Sequence, residues 1–257
     1  MFINKYPIFK KQRILKVEML DKLRDFPIDI VNILTQDYSN GILTGCDIAV
    51  EEDKILVKPG IIVFDKNIYF IKEELSIKYS SNEKLTVLKM RLHKRKNSPD
   101  FFEFKGEIFL DEDVSTKSHE FELCRFKLRH KARLRIEHES FEDLSTYYNT
   151  VNIINTQYSA PEESTVSPYI SSNFAKEMFK YKLEDPFDIS FCMLCLNEKR
   201  IQRSLIRQYI NSRLSINRDK FSNEEIYKYL LDILLNVRGS KRRDGIRDSL
   251  HQKIMIG

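Results

Sequence analysis

Glycine is scarce in this sequence and long apolar runs are missing, and each absence excludes a class of protein. The chain has seven glycines in 257 residues. Neither G-x-x-x-x-G-K-S/T nor G-x-G-x-x-G occurs, so the sequence predicts no P-loop or Rossmann nucleotide site. No apolar run approaches the roughly 18 residues that a membrane-spanning helix needs. We therefore expect no cofactor, no small-molecule substrate and no insertion into a membrane.

Cysteine and histidine are also too dispersed to predict a disulfide framework or a metal site. The four cysteines are Cys46, Cys124, Cys192 and Cys195. The C-x-x-C pair lies in the apolar stretch FCMLCLN, without a second pair or a nearby histidine, which is typical of buried free thiols on a helix. The five histidines are scattered and are predicted to lie at the surface: His93, His119, His130, His138 and His251.

Catalytic motifs are missing as well. Neither G-x-S-x-G nor H-E-x-x-H occurs. Adjacent acids are found only where turns are predicted, and solvated carboxylates are ordinary there: 51–53, 73–74, 111–113 and 162–163. Acid–base catalysis needs two acids in differing environments across a cleft, and the sequence gives no sign of one. We expect a protein that is not an enzyme.

The composition is that of a folded globular chain with a mild positive charge. Apolar residues make up 42% and aromatic residues 11% of the chain, well away from the composition of disordered proteins. Charged residues reach 32%, yet the formal net charge is only +5. Dedicated nucleic-acid binders usually concentrate more positive charge on one face, so this balance permits a basic patch without requiring one.

Residues 41–77 have the clearest secondary-structure pattern. Their apolar residues lie two apart in short runs, which is typical of half-buried strands joined by tight turns. Pro59-Gly60 predicts a type II turn in which Gly60 takes a positive φ. We expect an antiparallel meander here, with runs at 48–50, 55–57, 61–63 and 68–70 and turns at 51–53 and 65–67.

The same alternation continues to residue 136. Apolar residues alternate with charged ones at 88–92 and 102–110, with a turn predicted at 97–100. The phase changes at Cys124, which predicts a β-bulge. Residues 42–136 thus predict about seven or eight strands, arranged as a sandwich or a small barrel.

Helical periodicity marks both ends of the chain. Two short helices are predicted at 16–26 and 28–38, divided by Pro27 and ended by Ser39-Asn40-Gly41. From about residue 140 the period becomes 3.6, with 161–168 as a linker. A capping box of Ser222 and Glu225 heads the last helix, and Gly239 is predicted to end it. The C-terminal helices are predicted at 141–157, 169–182, 186–196, 201–214 and 224–237.

These patterns together predict an α+β fold with segregated halves. Residues 1–40 form an N-terminal arm with two short helices, and residues 41–139 form an antiparallel β domain. Residues 140–257 form a small α-helical bundle with a basic C-terminal tail.

Two kinds of residue are candidates for contact with a partner. The first dozen residues predict an extended arm too apolar to remain in water, which packs on a partner subunit or on the chain's own sheet. Basic residues on predicted strands and in the tail could contact a protein, bind single-stranded nucleic acid or form a solvated face. The candidates are Phe2, Ile3, Tyr6, Ile8, Phe9, Lys94, Arg95, Lys96, Arg125, Lys127, Arg129, Arg242 and Arg243.

Three segments, in order, resemble structural proteins encoded in the tail modules of clostridial phages and phage-tail-like (R-type) bacteriocins. They are FKKQRILKVEMLDKLRDFP (9–27), GILTGCDIAVEEDKILVKPGIIVFDKNIYFI (41–71) and SPYISSNFAKEMFKYKLEDPFDISFCMLCLNEKRIQRSLIRQYI (167–210). The strand–turn–strand unit around Pro59-Gly60 also looks like the β-modules of phage baseplate and fibre-attachment proteins.

The resemblance implies a non-enzymatic baseplate component of a contractile injection particle, joining the hub or wedge to the receptor-binding fibres. Its partners would be other baseplate or tail subunits, held in three- or six-fold symmetry by large obligate interfaces. The first residues show no secretory signal, so the chain is expected in the cytoplasm during assembly and then in the released particle. Two alternatives stay open: a nucleic-acid-binding module that uses the basic strands, and a tail-assembly chaperone that leaves before the particle matures.

Overall fold

The computed structural model describes the backbone of residues 2–94 and 96–254 and the side chains of residues 2–94 and 96–239. Its helices are α1 (Val17–Leu34), α2 (Pro168–Met178), α3 (Pro186–Asn197), α4 (Arg203–Leu214) and α5 (Asn223–Ile254). Its strands are β1 (Gly41–Gly45), β2 (Ile48–Glu51), β3 (Lys54–Val57), β4 (Gly60–Phe64), β5 (Asn67–Ile71), β6 (Leu75–Lys78), β7 (Leu85–Leu92), β8 (Lys96–Asn97), β9 (Phe102–Glu103), β10 (Gly106–Asp111) and β11 (Glu120–Lys127). All of these strands precede α2, which confirms the predicted α+β class.

All pairs of named strands are antiparallel, as predicted, but the strands of 41–77 do not form one meander. The three-stranded sheets have the orders β1-β4-β5, β2-β3-β6 and β10-β7-β11, and β8 pairs with β9. The hairpins β2–β3 and β4–β5 therefore belong to different sheets, and the described strands close no barrel. The eleven strands exceed the predicted number, partly because two-residue pieces such as β8 and β9 are too short to show a period.

The chain crosses between these sheets at Pro59-Gly60, and the type II turn predicted there is wrong. Gly60 begins β4 and does not have a positive φ, whereas Gly45 and Cys46 have φ values of 67° and 60°. The Cys46 N–H donates to the Pro59 carbonyl at 3.2 Å. A Cβ on Gly60 would lie 2.5 Å from both the backbone nitrogen and the Sγ of Cys46. Glycine is required here because two backbones approach closely.

Two local predictions in the β region are confirmed. Asp65 and Lys66, between the paired residues Phe64 and Asn67, have φ values of 49° and 58°. Positive φ at both central residues matches the right-handed twist of the flanking strands. The register of β11 on β7 shifts between Glu122 and Cys124, which is the predicted bulge.

The N-terminal helices are one helix rather than two. α1 continues through Pro27 and ends with a cap at Thr35, whose N–H donates to the Val31 carbonyl. Pro27 removes a single backbone donor, which bends or weakens a helix without having to end it. The predicted helix end at Ser39-Asn40-Gly41 is too late, because α1 ends at Leu34 and Gly41 is already the first residue of β1.

The helix predicted at 141–157 is also wrong. Only a 3-10 helix forms, at Glu142–Ser145, where the Ser140 hydroxyl accepts from the Asp143 N–H at 3.3 Å. The residues that follow are rich in asparagine and β-branched side chains, which form helices poorly. Their backbone bonds to β11 instead: Arg125 and Asn152 donate to each other's carbonyls at 2.9 Å.

The predicted linker at 161–168 is a packed segment. Thr165 exchanges backbone hydrogen bonds with Tyr158 at 2.8 and 3.0 Å. Its buried hydroxyl donates to the Ile201 carbonyl at 2.6 Å. These bonds tie the segment to both neighbouring parts of the chain.

The other four C-terminal helices are present as predicted, but α2 ends at Met178 rather than at residue 182, and α5 extends beyond the predicted end. Asp185 caps α3 by accepting from the Phe187 N–H, and Ser222 with Glu225 forms the predicted capping box at the head of α5. Gly239 does not end α5, which continues to Ile254. Glycine costs a helix only about 1 kcal/mol relative to alanine, so it weakens this helix without ending it.

Two groups of buried side chains hold these elements together. One lies among the sheets and includes Ile55, Leu88 and Phe126. The other lies among α2 to α5 and includes Phe174, Cys192 and Tyr209. No residue of α1 is buried in either of them.

Candidate partner-contact surfaces

The five apolar candidates of the arm lie at the surface. Phe2 is 89% exposed, and Phe9, the least exposed of the five, is 54% exposed. Within the described residues, Tyr6 alone of the five has a ring contact, with its centroid 5.5 Å from that of Phe26 in α1. These side chains are therefore not buried on the chain's own sheet, and contact with a partner stays a prediction.

α1 continues this exposed segment. At 3.6 residues per turn its side chains divide into two arcs. Arg24 pairs with Asp25 at 2.7 Å and with Asp21 at 3.2 Å, and the hydrogen bond from Arg24 lowers the pKa of Asp25. The polar arc is mainly acidic, with Glu18, Asp21, Asp25 and Asp29. The apolar arc comprises Met19, Leu20, Leu23, Phe26, Ile30, Val31, Ile33 and Leu34, none of which is buried.

The basic candidates on the strands do not form one face. Lys94 and Lys96 are exposed beyond the C-terminal end of β7, and Arg95 lies outside the described residues. Lys127 pairs with Leu85 at the opposite end of β7. At about 3.3 Å per residue, the two groups are separated by roughly 20 Å.

Arg125 is engaged within the chain. Its guanidinium donates to both carboxylate oxygens of Glu122 at 2.7 Å and to Glu224 at 3.1 Å. The hydrogen bond to Glu122 raises the pKa of Arg125. Because these acceptors already satisfy it, Arg125 ties β11 to the start of α5.

Lys127 and Arg129 lie beside an exposed pair of tyrosines. The Tyr147 and Tyr148 rings stack with centroids 5.0 Å apart and planes 26° apart. The Lys127 Nζ lies 5.2 Å and the Arg129 Cζ 5.3 Å from the Tyr148 centroid. Cations at this distance are attracted to the ring face. The sequence analysis missed this arrangement because it treated 141–157 as a helix.

The last two basic candidates, Arg242 and Arg243, fall on the helical backbone of α5. Their side chains lie outside the part of the chain whose side chains the structure describes. Both stay predictions.

An exposed aromatic groove was also missed. It has a volume of about 700 Å³ and lies between β5, β9 and β10. The prediction placed Phe70, Phe102 and Phe104 on apolar strand faces, but Tyr69 is the buried residue of β5 and those three are exposed. Since β5 is apolar at four successive positions, 68–71, its alternation could not tell which face is buried.

α3 presents a second apolar surface that was missed. Its inner side buries Phe191, Cys192 and Cys195. Its outer side exposes Phe187, Ile189, Met193 and Leu196, with Met193 at 59%. A helix that is apolar on all sides is normally buried on all sides. The uniformly apolar sequence FCMLCLN could therefore have indicated that the outer side of α3 is covered by a partner.

All four cysteines are buried free thiols, as was predicted for Cys192 and Cys195. Burial raises the pKa of Cys46 and of Cys192 to about 12 and raises those of Cys124 and Cys195 as well. Such thiols stay protonated near neutral pH and are poor nucleophiles. Among the described residues, no three histidine, cysteine or acidic side chains gather in a way that could hold a metal ion.

His138 differs from the surface residue that was predicted. Both of its ring nitrogens are buried and lack a well-formed hydrogen bond within the described chain. Burial lowers its pKa. It lines a cavity of about 280 Å³ together with Cys46, Tyr158 and Tyr169.

The acids at 111–113 are more than solvated turn residues. Lys89 is 1% exposed although it was placed on the outer face of β7, and its Nζ donates to Asp111 at 2.8 Å. The same Nζ donates to the Ser115 carbonyl at 2.6 Å. The hydrogen bond from Lys89 is the main cause of the lowered pKa of Asp111. Lys89 thus fastens the loop after β10 to the central strand of its sheet.

No helix among the described residues has both the length and the apolar character needed to cross a bilayer.

Comparisons with known proteins return no matching family model and no matching curated protein. Among solved structures, the chain is similar to TssK in a crystal structure, with 8% identity and a TM-score of 0.42 over 91% of this chain and 69% of that one. It is also similar to a chain of the type VI secretion system TssK-TssF-TssG baseplate subcomplex, solved by cryo-electron microscopy. That match has 8% identity and a TM-score of 0.40 over 91% of this chain and 98% of that one. Neither similarity is high enough to carry a statement about this chain.

Proposed function

We propose that this chain is a structural subunit of the baseplate of a contractile phage tail or phage-tail-like bacteriocin. In this role it joins the hub or wedge to the receptor-binding fibres through protein–protein contacts. The observation that carries the proposal is the exposure of segment 2–34, which has large apolar side chains along its whole length and buries none of them.

The free energy of burial explains why such a segment needs a partner. Removing one large apolar side chain from water stabilises a protein by about 1.5 to 3 kcal/mol. Monomeric soluble proteins rarely expose a contiguous patch of more than a few hundred Å². Subunits of permanent assemblies commonly do so when isolated, because their interfaces resemble a divided core.

Several acidic groups that could have supplied chemistry have structural contacts instead. Asp111 holds the buried Lys89, and Glu122 holds Arg125. The Tyr209 hydroxyl donates to the buried Asp188 at 2.7 Å, and Arg213 lies 2.7 Å from the same carboxylate. These contacts support a protein whose side chains maintain its shape rather than carry out a reaction.

The proposed partners are other baseplate or tail subunits in three- or six-fold symmetry. The chain would be found in the cytoplasm during assembly and in the released particle afterwards. An assembly chaperone would have the first location only, so the composition of mature particles separates the two roles.

The test is mass spectrometry of purified tail-like particles from cells that produce the chain. We expect the chain in stoichiometric amount, and cryo-electron microscopy should place it between the hub or wedge and the fibres. A double variant of the apolar arc, Leu23→Ser with Ile30→Ser, should be lost from the particles. The matched control on the polar arc, Lys22→Ser with Asn32→Ser, should be retained. Particles that assemble normally without the chain would contradict the proposal.

One observation favours the nucleic-acid alternative. The stacked Tyr147 and Tyr148 pair, flanked by Lys127 and Arg129, offers a ring face and two cations to a single strand. Stacking on an aromatic ring is worth roughly 1 to 3 kcal/mol per base. Binding of single-stranded DNA that weakens steeply between about 50 and 200 mM salt and is lost in Tyr148→Ala would support it. A flat salt response would exclude it.

A further inference from the structure

Building on the proposed assembly role, we propose that α1 of one copy docks on the outer face of α3 in a neighbouring copy. Copies would then associate head-to-tail, each giving its α1 to one neighbour and receiving the α1 of another.

α1 has the form of a docking helix. Its apolar arc runs the length of the helix, from Met19 to Leu34, while its acids occupy the opposite side. Amphipathic helices of this kind bind by laying their apolar face into a groove on a partner. Because α1 buries no residue, it does not rest on α3 of its own chain.

α3 offers a matching receptor. Its outer residues Ile189, Met193 and Leu196 recur at helical spacing and are all exposed. Beside them, a groove of about 440 Å³ runs between the end of α3 and the start of α4, where Leu194, Ile201 and Leu205 line it. In α2, apolar residues at the same helical spacing, Ile170, Phe174 and Met178, are buried against other helices. The outer face of α3 lacks such a covering element within the described chain.

Length and charge agree with this pairing. At 1.5 Å per residue, α1 is roughly 27 Å long and can cover both α3 and the groove beside it. α1 carries four acids against two basic residues, Lys22 and Arg24. Of the four basic residues in the receptor segment 186–208, Arg203 is buried and Arg207 pairs with Glu163, which leaves Lys199 and Arg200 beside Glu198 near the surface. These two cations favour the acidic α1 as the occupant, whereas two acidic α1 helices would repel each other.

The geometry also has a consequence for symmetry. Because the two surfaces differ, the contact is heterologous, and repeating it closes a ring when the rotation permits. This is the kind of contact that a three- or six-fold assembly requires. A homotypic α1 contact between two copies would give a two-fold dimer instead.

The test uses the purified full chain and two variants, Leu23→Asp on α1 and Met193→Asp on α3. Mass photometry over a range of concentrations should show oligomers of the unaltered chain. Each variant should weaken self-association by about 30-fold or more, since loss of a central anchor costs an interface at least about 2 kcal/mol. The control variants Lys22→Ser on α1 and Lys176→Ser on α2 alter exposed polar residues outside the two proposed surfaces and should associate normally. Circular dichroism confirms that each variant is folded.

Mixing the two variants distinguishes the possible contacts. Leu23→Asp keeps an intact α3 and Met193→Asp an intact α1, so the mixture should form dimers that grow no larger. If Met193→Asp associates normally while Leu23→Asp does not, α1 pairs with itself and the inference is wrong. If the unaltered chain is monomeric throughout yet present in particles, α1 binds a different subunit. The inference then fails while the proposed function stands.

A disulfide locates the contact directly. We expect a mixture of Leu23→Cys and Met193→Cys chains to form a covalent dimer on mild oxidation, since the four native thiols are buried and protonated. Leu23→Cys chains alone should not cross-link. A Leu23→Cys homodimer in equal or greater yield would overturn the head-to-tail arrangement.

Discussion

α1 and α2 are both amphipathic helices, yet only one of them has found its partner within the chain. α2 buries Ile170, Ser171, Phe174, Ala175 and Met178 against α3 and α5. α1 is longer and buries nothing. The comparison shows that periodicity identifies which face of a helix is to be buried, but does not identify the molecule that buries it.

The largest expected contrast is between one phenylalanine in each helix. Phe174→Ala should reduce the free energy of unfolding by about 3 to 5 kcal/mol, because it empties a fully buried site. Phe26→Ala should cost the isolated chain less than about 1 kcal/mol, since Phe26 is half exposed and its ring packs on the exposed Tyr6. Urea unfolding of both variants measures this, and equal losses would show that α1 is part of the folded core.

Gly60→Val tests the close packing between the sheets, which, unlike α1, we expect to tolerate no added side chain. The new side chain would meet the backbone and Sγ of Cys46, so we expect a loss of about 2 to 4 kcal/mol in thermal or urea unfolding. The reason is steric, because Gly60 does not have a positive φ. Gly60→Ala should lose nearly as much, since the clash begins at Cβ. If Gly60→Ala kept full stability while Gly60→Val lost it, the steric clash would begin beyond Cβ, which would contradict the close approach at Cys46.

Asp111→Asn tests the buried ion pair on the sheet. Asparagine keeps an acceptor oxygen but removes the negative charge, so the buried Lys89 ammonium loses its counter-ion, which we expect to cost about 1 to 3 kcal/mol at neutral pH. The folded-state pKa of Asp111 is lowered from 3.8. Its stabilisation is therefore present above that value and is lost as the pH falls through the lower folded pKa.

The acid limb of the stability curve checks this assignment. The Asp111→Asn variant should lose less stability than the unaltered chain as the pH is lowered below 4. Asp100→Asn, at the exposed tip between β8 and β9, should follow the unaltered chain. Parallel acid limbs for all three proteins would exclude a role for the Lys89–Asp111 pair.

Gly239→Ala should have the smallest effect. A Cβ there meets nothing within 4 Å, and alanine favours a helix over glycine by up to about 1 kcal/mol. If α5 continues through this residue, the variant gains helicity by circular dichroism and loses no stability. A decrease in helicity would mean that the helix ends near Gly239, as the sequence analysis predicted.

The success of the sequence analysis follows from the range of the interactions involved. Turn residues such as Asp65-Lys66, the parity change at Cys124 and the capping box at Ser222 act over a few residues, and each was predicted correctly. Pro59-Gly60 misled the analysis because the need for glycine comes from Cys46, which is distant in sequence. Likewise, 141–157 was misread because its hydrogen bonds go to β11.

The candidate surfaces show the same limit. The apolar arm was identified from its sequence, but whether it packs on the chain's own sheet was left open until its exposure was known. The outer face of α3 and the aromatic groove were missed. The periodicity of apolar residues shows which of them share a face, but not whether another element of the chain packs on that face. The alternation of β7 predicts an exposed side chain at Lys89. It could not show that Asp111, at the end of β10, pairs with this lysine and allows its burial.

Hydrogen exchange of α1 tests the central claim most directly. An isolated amphipathic helix of this length is only marginally stable in water, and α1 has no packing to protect it. We predict that the amides of α1 exchange rapidly in the dilute chain, while those of α2 are protected to nearly the global stability. In assembled particles, α1 should become protected by a factor of about 100 or more. Equal protection of α1 and α2 in the dilute chain would contradict the account.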